Sequence, residues 1–351
     1  MPGRYREIAV RGTPRELGRQ LGEAAGDEIR GFAAFALERI EEKVPLPAAR
    51  ALEVARECIP YVETYAPDML AELRGLAEST AIPLDRLMLL QVRNQLRPDE
   101  GGCTAFSLAR SSYAGNSSIV AQNWDNDPAL DSFTVVLTRR PQGKPAMLQV
   151  TQAGLIAYIG LNEEGIGLCM NTLPAPGRRL GVPHYFTVRS IYESCSLDEA
   201  VASVRRATRA IPANILLATP QGPADLEITI DAVHLLRDSG TGIVTHTNHC
   251  LHPELAVINE DFTELIESGP RKRRIDTLLA EARRPLTIEM LKTFLCDHQG
   301  YPCSICRHVN DHAVTGYWTS VFSVIIEAEA GRLHLSRGNP CTNSYEVYEM
   351  N

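Results

Sequence analysis

The strongest constraint on the fold is the abrupt change of hydrophobic period at "RPDEGGCTAF", residues 97–106. Upstream of it, Leu17, Leu21, Ala24, Ala25, Ile29, Phe32, Phe35 and Ile40 recur at helical spacing. Thr13 followed three residues later by Glu16 has the spacing of a capping box. Further helical runs follow in "PAARALEVARECIPYVETYAP", "DMLAELRGLAEST" and "PLDRLMLLQVRNQL", each bounded by proline or a small polar residue. From Cys103 the chain switches to short strand-like runs. "CTAFSLAR" and "SSIVAQNWD" are joined by a Gly/Asn/Ser turn, a hairpin pattern. "SFTVVLTRR", "PAMLQVTQAGLIAYIGLN" and "GIGLCMNTL" continue in that style, and helices return around "HYFTVRSIYESCSLDEAVASVRRAT". Strands follow in "NILLATPQG", "ADLEITIDA", "VHLLRDSG" and "GIVTHTNH", then a mostly helical section over 254–297 and a last hairpin in "TSVFSVIIEAEAGRLHLSRG". Helices and strands alternating in blocks predict stacked sheets covered by helical layers.

The chain has 351 residues, enough for two domains or one large layered one. Its formal net charge of −8 argues against a nucleic-acid partner, which would require a basic stripe. The basic clusters "RRPQGK" and "PRKRR" are short and flanked by acids, and read as solvated faces. The N-terminus is charged from the start, with no apolar segment of a secretory signal. No run approaches the roughly 18 apolar residues of a membrane span. Nine cysteines in a chain of this size point to free thiols in a reducing cytoplasm rather than a disulfide framework.

One cysteine stands apart. In "EGGCT", two glycines permit backbone conformations closed to other residues, and a thiol beside a strained peptide bond can attack the preceding carbonyl. Hydrolysis after such an N-to-S acyl shift frees Cys103 as a new N-terminus, whose α-amine can serve as general base to its own sulfur. The alternative is a small buried residue that opens a strand. Cys303, Cys306 and His308 in "YPCSICRH" raise a zinc reading, but its only second ligand pair would be His249 and Cys250, adjacent residues that cannot readily converge on one ion. No metal is expected. Alternation places His246 and Asn248 on one face of their strand, while Asn171 and Asn214 interrupt apolar runs.

The blocks "GGCTAFSL…VAQNWDND", "VTHTNHCL" and "YPCSICRH", together with "RGTPRELGRQLGEAAGDEI" and "GVPHYFTVRSIYES", resemble in this order the penicillin acyltransferase family of self-cleaving cysteine enzymes. The resemblance implies an α+β fold, the four-layer αββα sandwich of N-terminal nucleophile hydrolases with two antiparallel sheets. Residues 1–102 would form a mostly helical small subunit and 103–351 the catalytic large subunit, divided between Gly102 and Cys103. Cys103 would be the nucleophile, Asp125 the carboxylate that steadies the new amine, Asn248 the oxyanion donor and Arg307 a cation near the thiol. Thr104, Asn171, Asn214 and His246 are weaker substrate-binding candidates.

The expected activity is hydrolysis of a small N-acyl or aminoacyl amide without a cofactor. One alternative is acyl transfer with acyl-CoA as co-substrate, and another is an uncleaved, non-catalytic binding protein. The loop between the first two strands is longer than in the family, and Pro212 replaces a small hydroxyl residue, which bears on substrate choice. The expected partners are a small-molecule acyl amide and the two subunits of one precursor, with no nucleic acid and no membrane. The oligomeric state is open.

Overall fold

A computed structural model of the uncut chain describes residues 3–43, 46–96, 102–178, 180–261 and 267–350. The expected helix stop at 97–101, including Gly101, lies outside them.

The N-terminal part comprises β1 (Glu7–Gly12), α1 (Pro14–Ala24), α2 (Gly26–Lys43), α3 (Ala48–Tyr65), α4 (Pro67–Thr80) and α5 (Leu84–Leu96). The Thr13 N–H donates to the Glu16 carboxylate at 2.8 Å, one half of the expected capping box. Then come β2 (Gly102–Leu108), β3 (Ile119–Asn126), β4 (Thr134–Pro141), β5 (Met147–Gln152), β6 (Ile159–Asn162) and β7 (Gly167–Asn171). Helices α6 (His184–Tyr192) and α7 (Leu197–Arg206) lead to β8 (Ala213–Ala218), β9 (Ala224–Ile228), β10 (Val233–Arg237) and β11 (Ile243–His246). The last part holds α8 (Ser268–Glu281), α9 (Ile288–Leu295), β12 (Thr319–Glu327), β13 (Arg332–Arg337) and β14 (Tyr345–Glu349).

These strands form an eight-stranded sheet, ordered β1-β4-β5-β6-β7-β8-β9-β10, and a six-stranded sheet, ordered β11-β2-β3-β12-β13-β14. The two sheets meet face to face where β2 and β3 oppose β7 and β8. The Ser107 hydroxyl of β2 crosses the interface to the Leu217 carbonyl of β8 at 2.9 Å. On the other face of the six-stranded sheet, Phe106, Leu108, Ile119, Ala121 and Ile325 pack against Ile275 and Leu279 of α8 and Leu291 and Leu295 of α9. Helices α4, α5 and α6 lie outside the larger sheet. The fold is therefore the α+β, four-layer αββα sandwich.

Two details differ from the sequence expectation. Strand β1 pairs with β4 in parallel, so the larger sheet is mixed, and the segment before residue 103 contributes a strand as well as helices. Strand β14 extends the final hairpin. Its glutamates, Glu346 and Glu349, fall on opposite faces of an edge strand, which weakens the apolar signal of a strand. No helix among the described residues is long and apolar enough to cross a membrane.

Both basic clusters read as solvated faces prove to contain buried arginines. Arg139 of β4 is fully buried, on the same face as Val135 and Leu137, and donates through Nε to Glu72 of α4 at 2.9 Å. Arg189 of α6 reaches the other oxygen of the same carboxylate at 3.0 Å. Burial pushes the Arg139 guanidinium down to about 10 against the pull of Glu72. This triad joins the N-terminal helices to β4 and α6.

Glu72 reaches that position because α1 crosses α4 very closely. A Cβ on Gly18 would lie 1.8 Å from the Glu72 carbonyl, and one on Gly75 would lie 2.1 Å from the Arg15 carbonyl. Both are backbone contacts that cannot yield cheaply.

Replacing Glu72 by Gln leaves the buried Arg139 guanidinium without a counter-charge, while Arg189 keeps only Glu193. It is expected to cost about 3–5 kcal/mol in denaturant-unfolding stability. A loss below about 1 kcal/mol would show that the triad is not a structural tie. Gly75→Ala is expected to cost roughly 1–3 kcal/mol by forcing the two helices apart, read by the same titration.

Candidate active site

The site begins with the register of β2 on β3. Gly102 lies opposite Asp125, and Cys103 opposite Trp124. Cys103 and Ala105 face the space between the sheets, while Phe106 and Leu108 face α8 and α9. The Trp124 ring stacks on Phe322 at 4.9 Å and meets Tyr158 edge-on at 5.7 Å, so its role is packing beside the thiol.

Cys103 is 2% exposed and lines a partly enclosed cavity between the sheets. Burial pushes its thiol well above the ordinary cysteine value, and the Asp125 carboxylate adds to the effect. Arg271, the Asp125 backbone and Gln122 oppose it. In the uncut chain the sulfur is therefore a thiol rather than a thiolate.

The backbone of Cys103 is held on both sides. Its N–H donates to Asn248 Oδ1 at 2.9 Å, and its carbonyl accepts from Arg271 Nη1 at 2.5 Å. The same guanidinium donates to Thr104 Oγ1 at 2.9 Å and to Asn248 Oδ1 at 2.8 Å. Asn248 is fixed further by its N–H on Ser268 Oγ at 2.8 Å and its Nδ2 on the Thr172 carbonyl at 3.1 Å.

Asp125 is fully buried. One carboxylate oxygen accepts from Ser320 Oγ at 2.7 Å and the other, Oδ2, has no hydrogen-bond partner. A register shift between Ser320 and Phe322, where β12 pairs with β3, sets Ser320 opposite Asp125. Burial raises the Asp125 carboxyl to about 6, against the pull of Arg271, Ser320 and Arg307. Arg307 is 1% exposed, and its Nε and Nη1 lack hydrogen-bond acceptors. The nearest carboxylate to Nη1, Glu267, lies 3.6 Å away, long for a hydrogen bond.

The structure thus brings Cys103, Thr104, Asp125, Asn248 and Arg307 together at the head of β2 and β3. Asn171 lines the cavity as well, bonded to the Thr247 carbonyl at 2.9 Å and to Gln122 at 2.6 Å. Asn214 and His246 stand elsewhere. Asn214 donates to Asp225 Oδ1, and His246 is buried with its Nε2 on Glu227 at 2.9 Å and its Nδ1 on the Thr247 carbonyl at 2.8 Å. Burial alone would lower the His246 pKa, but Asp225 and Glu227 outweigh it and raise it. Neither side chain is on the cavity wall. Strand alternation put His246 on the face of Asn248, but it could not show that buried carboxylates on β9 hold both His246 and Asn214.

Three residues at the site escaped the sequence reading. Arg271 belongs to "PRKRR" but shares the buried stripe of α8 with Ile275 and Leu279, at i, i+4 and i+8. That spacing was the available signal. Arg93 of α5 and His184 at the start of α6 are on the cavity wall. The Arg93 guanidinium lies 5.0 Å from the Tyr185 ring centroid. Both ring nitrogens of His184 are buried without partners, and burial, aided by Arg93, lowers its pKa to about 3, so the imidazole is neutral near pH 7.

The family model for acyl-coenzyme A:6-aminopenicillanic acid acyl-transferase matches residues 113–342, a span that begins after β2. The acyl-coenzyme A:6-aminopenicillanic-acid-acyltransferase 40 kDa form of Emericella nidulans is 27% identical over 352 residues, covering 98% of this chain and 95% of its own. Among solved structures, a conjugated bile acid hydrolase variant from Clostridium perfringens aligns with a TM-score of 0.46 and 12% identity, over 70% of this chain and 97% of its own. Penicillin V acylase from Agrobacterium tumefaciens aligns with a TM-score of 0.43 and 11% identity, over 72% and 78%. Matched by the family model over more than half its length, the chain belongs to the acyl-coenzyme A:6-aminopenicillanic acid acyl-transferase family.

Proposed function

We propose that this protein is a cysteine amidohydrolase that activates itself by cutting between Gly102 and Cys103. It would act on a small N-acyl or aminoacyl amide through a Cys103 acyl-enzyme. The observation that carries the reading is the bond from the Cys103 N–H to Asn248 Oδ1, made inside a cluster of Arg271, Arg307 and a half-unpaired Asp125. The nitrogen so held is the one that becomes the amine.

In the first stage the Cys103 sulfur attacks the Gly102 carbonyl carbon. The Gly102–Cys103 C–N bond breaks, the nitrogen gains a proton, and water hydrolyses the resulting thioester to a Gly102 carboxylate and a free thiol. The new ammonium keeps Asn248 as an acceptor and gains Asp125 Oδ2 as a counter-charge. An added positive charge and an opened cavity both lower the thiol pKa, so cutting switches on a nucleophile that burial keeps protonated.

In the second stage the thiolate attacks the substrate carbonyl, and the α-amine shuttles the proton to the leaving amine. Asn248 Nδ2 has a second N–H beyond the one spent on Thr172, and it would meet the oxyanion. Arg93 offers a cation at the wall, and His184 a neutral hydrogen-bonding ring. Residues 1–102 would remain attached as the small subunit through β1 on β4 and the Glu72 triad. The relative's name favours a second reading, in which an amine rather than water takes the acyl group from an acyl-CoA.

Intact-mass measurement of the expressed protein is expected to show two pieces dividing at Gly102–Cys103, and one full-length chain for Cys103→Ala. A single uncut mass in both would leave a non-catalytic binding protein of this fold. Acyl-amide turnover measured with and without an amine acceptor separates the two catalytic readings: release that needs the acceptor overturns the hydrolase.

The pH dependence of the cut follows from Asp125. Its folded pKa of about 6 lies above the ordinary 3.8, so the carboxylate is lost as pH falls through 6. If the carboxylate steadies the emerging ammonium, the processing rate should rise between pH 5 and 7 and level off above, and Asp125→Asn should be slow and flat across that window. An unchanged profile in Asp125→Asn overturns that role.

Arg271→Met removes the donor that positions the Cys103 carbonyl and Asn248 Oδ1 and is expected to slow processing by roughly 10- to 100-fold through misplacement of the attacking residue. Near-native processing in this variant would make Arg271 a packing residue only.

A further inference from the structure

Beyond the catalytic cluster, four side chains from two loops converge at the surface end of the six-stranded sheet. His298, Cys306 and His308 lie between α9 and β12, and Cys341 lies between β13 and β14. The His308 Nε2 atom is 3.2 Å from His298 Nε2, 3.6 Å from Cys306 Sγ and 3.5 Å from Cys341 Sγ. All four potential ligand atoms lie within 4.8 Å of one another.

One imidazole nitrogen has a single hydrogen or a single lone pair, so it cannot bond to three such neighbours at once. A tetrahedral ion can. Zinc about 2.3 Å from sulfur and about 2.05 Å from nitrogen fixes edges of roughly 3.4 Å between nitrogens and roughly 3.6 Å between nitrogen and sulfur. The three observed distances match those edges closely.

We propose that His298, Cys306, His308 and Cys341 form a structural zinc site. Two thiolates balance the dication, and four protein ligands close the sphere, so no position remains for water or substrate. An S₂N₂ tetrahedron selects zinc over the hard cations, which prefer oxygen. Asn339 supplies the supporting layer: its Nδ2 lies 3.6 Å from Cys306 Sγ and donates to the Arg307 carbonyl at 2.6 Å.

The proposed ligand set differs from the one that the sequence spacing suggests. The Cys303/Cys306 spacing is not the chelate, because Cys303 lies outside the cluster, where Asn310 Nδ2 approaches its Sγ at 3.7 Å. Its place is taken by Cys341, 33 residues beyond His308, a separation that no local spacing motif reveals. Arg307 sits between two of the ligands, so zinc would pin the loop that carries this cation toward Asp125. It is a positioning device for that loop, independent of whether Cys103 is a nucleophile.

The test is elemental analysis of the untagged, full-length protein purified without chelators. It should contain about one zinc per chain, Cys303→Ser should keep it, and Cys341→Ser should retain less than about a tenth of it. Stripping the metal from the wild type should lower its melting temperature by at least about 5 °C, with recovery on adding zinc. If Cys341→Ser does not fold, the wild type still decides: cobalt in place of zinc should give the visible bands of tetrahedral coordination and a thiolate-to-cobalt transition. No zinc even after incubation with it, full zinc content in Cys341→Ser, or a Cys306–Cys341 disulfide found by peptide mapping would overturn the proposal. None of these outcomes bears on the Gly102–Cys103 cut.

Discussion

The site depends on the antiparallel pairing of β2 with β3, buried on both faces. Because side chains alternate with a period of two, the Gly102–Asp125 register fixes the thiol toward the inter-sheet cavity and Thr104 toward α8. A one-residue slip would exchange those faces. It would bury the thiol beneath α8 and swing Phe106 between the sheets. Apolar packing on both sides excludes that slip, since Ala105 and Val120 fill one side and Phe106, Leu108 and Ala121 the other. The geometry around Cys103 thus rests on ordinary hydrophobic register rather than on the polar residues that surround it.

Those polar residues sit in an environment hostile to charge. Arg271, Arg307 and Asp125 are all nearly or fully buried; Arg271 and Asp125 hold hydrogen-bond partners, whereas Arg307 Nε and Nη1 lack acceptors. The same logic governs Glu72 between Arg139 and Arg189, on the far side of the larger sheet. One charged cluster organises the head of the nucleophile strand and the other ties the N-terminal helices to the sheets. Both would be costly to break, but only the Glu72 triad ties together the segments on either side of Gly102. The raised thiol pKa and the raised Asp125 pKa share a cause, desolvation, and an ammonium born beside them would reverse both.

Much of this was legible from local pattern. The change of period at residue 103, the hairpin of β2 and β3, and the placement of Cys103 with Asp125 follow from alternation and turn chemistry. Asn248 and Arg307 came from resemblance, with no local physical signal strong enough to single them out. The basic clusters misled because a charge run is read by composition, and composition carries no information about burial. Arg139 and Arg271 were distinguishable only by phase, each sharing a buried face with apolar neighbours on its strand or helix. Asn214 and His246 were assigned to the pocket from their strands alone, whereas Asp225 and Glu227 on a neighbouring strand hold them.

By itself, the sequence determined the order of helices and strands, the layered class of fold and the strand-opening position of Cys103, because these depend on spacing between near neighbours. Only the tertiary structure decided which arginine reaches the Cys103 carbonyl, which carboxylates claim His246, and which distant cysteine joins His298, Cys306 and His308. Those choices are made by residues far apart in the chain, and burial, which sets their charges and their partners, exists only once the layers have closed around them.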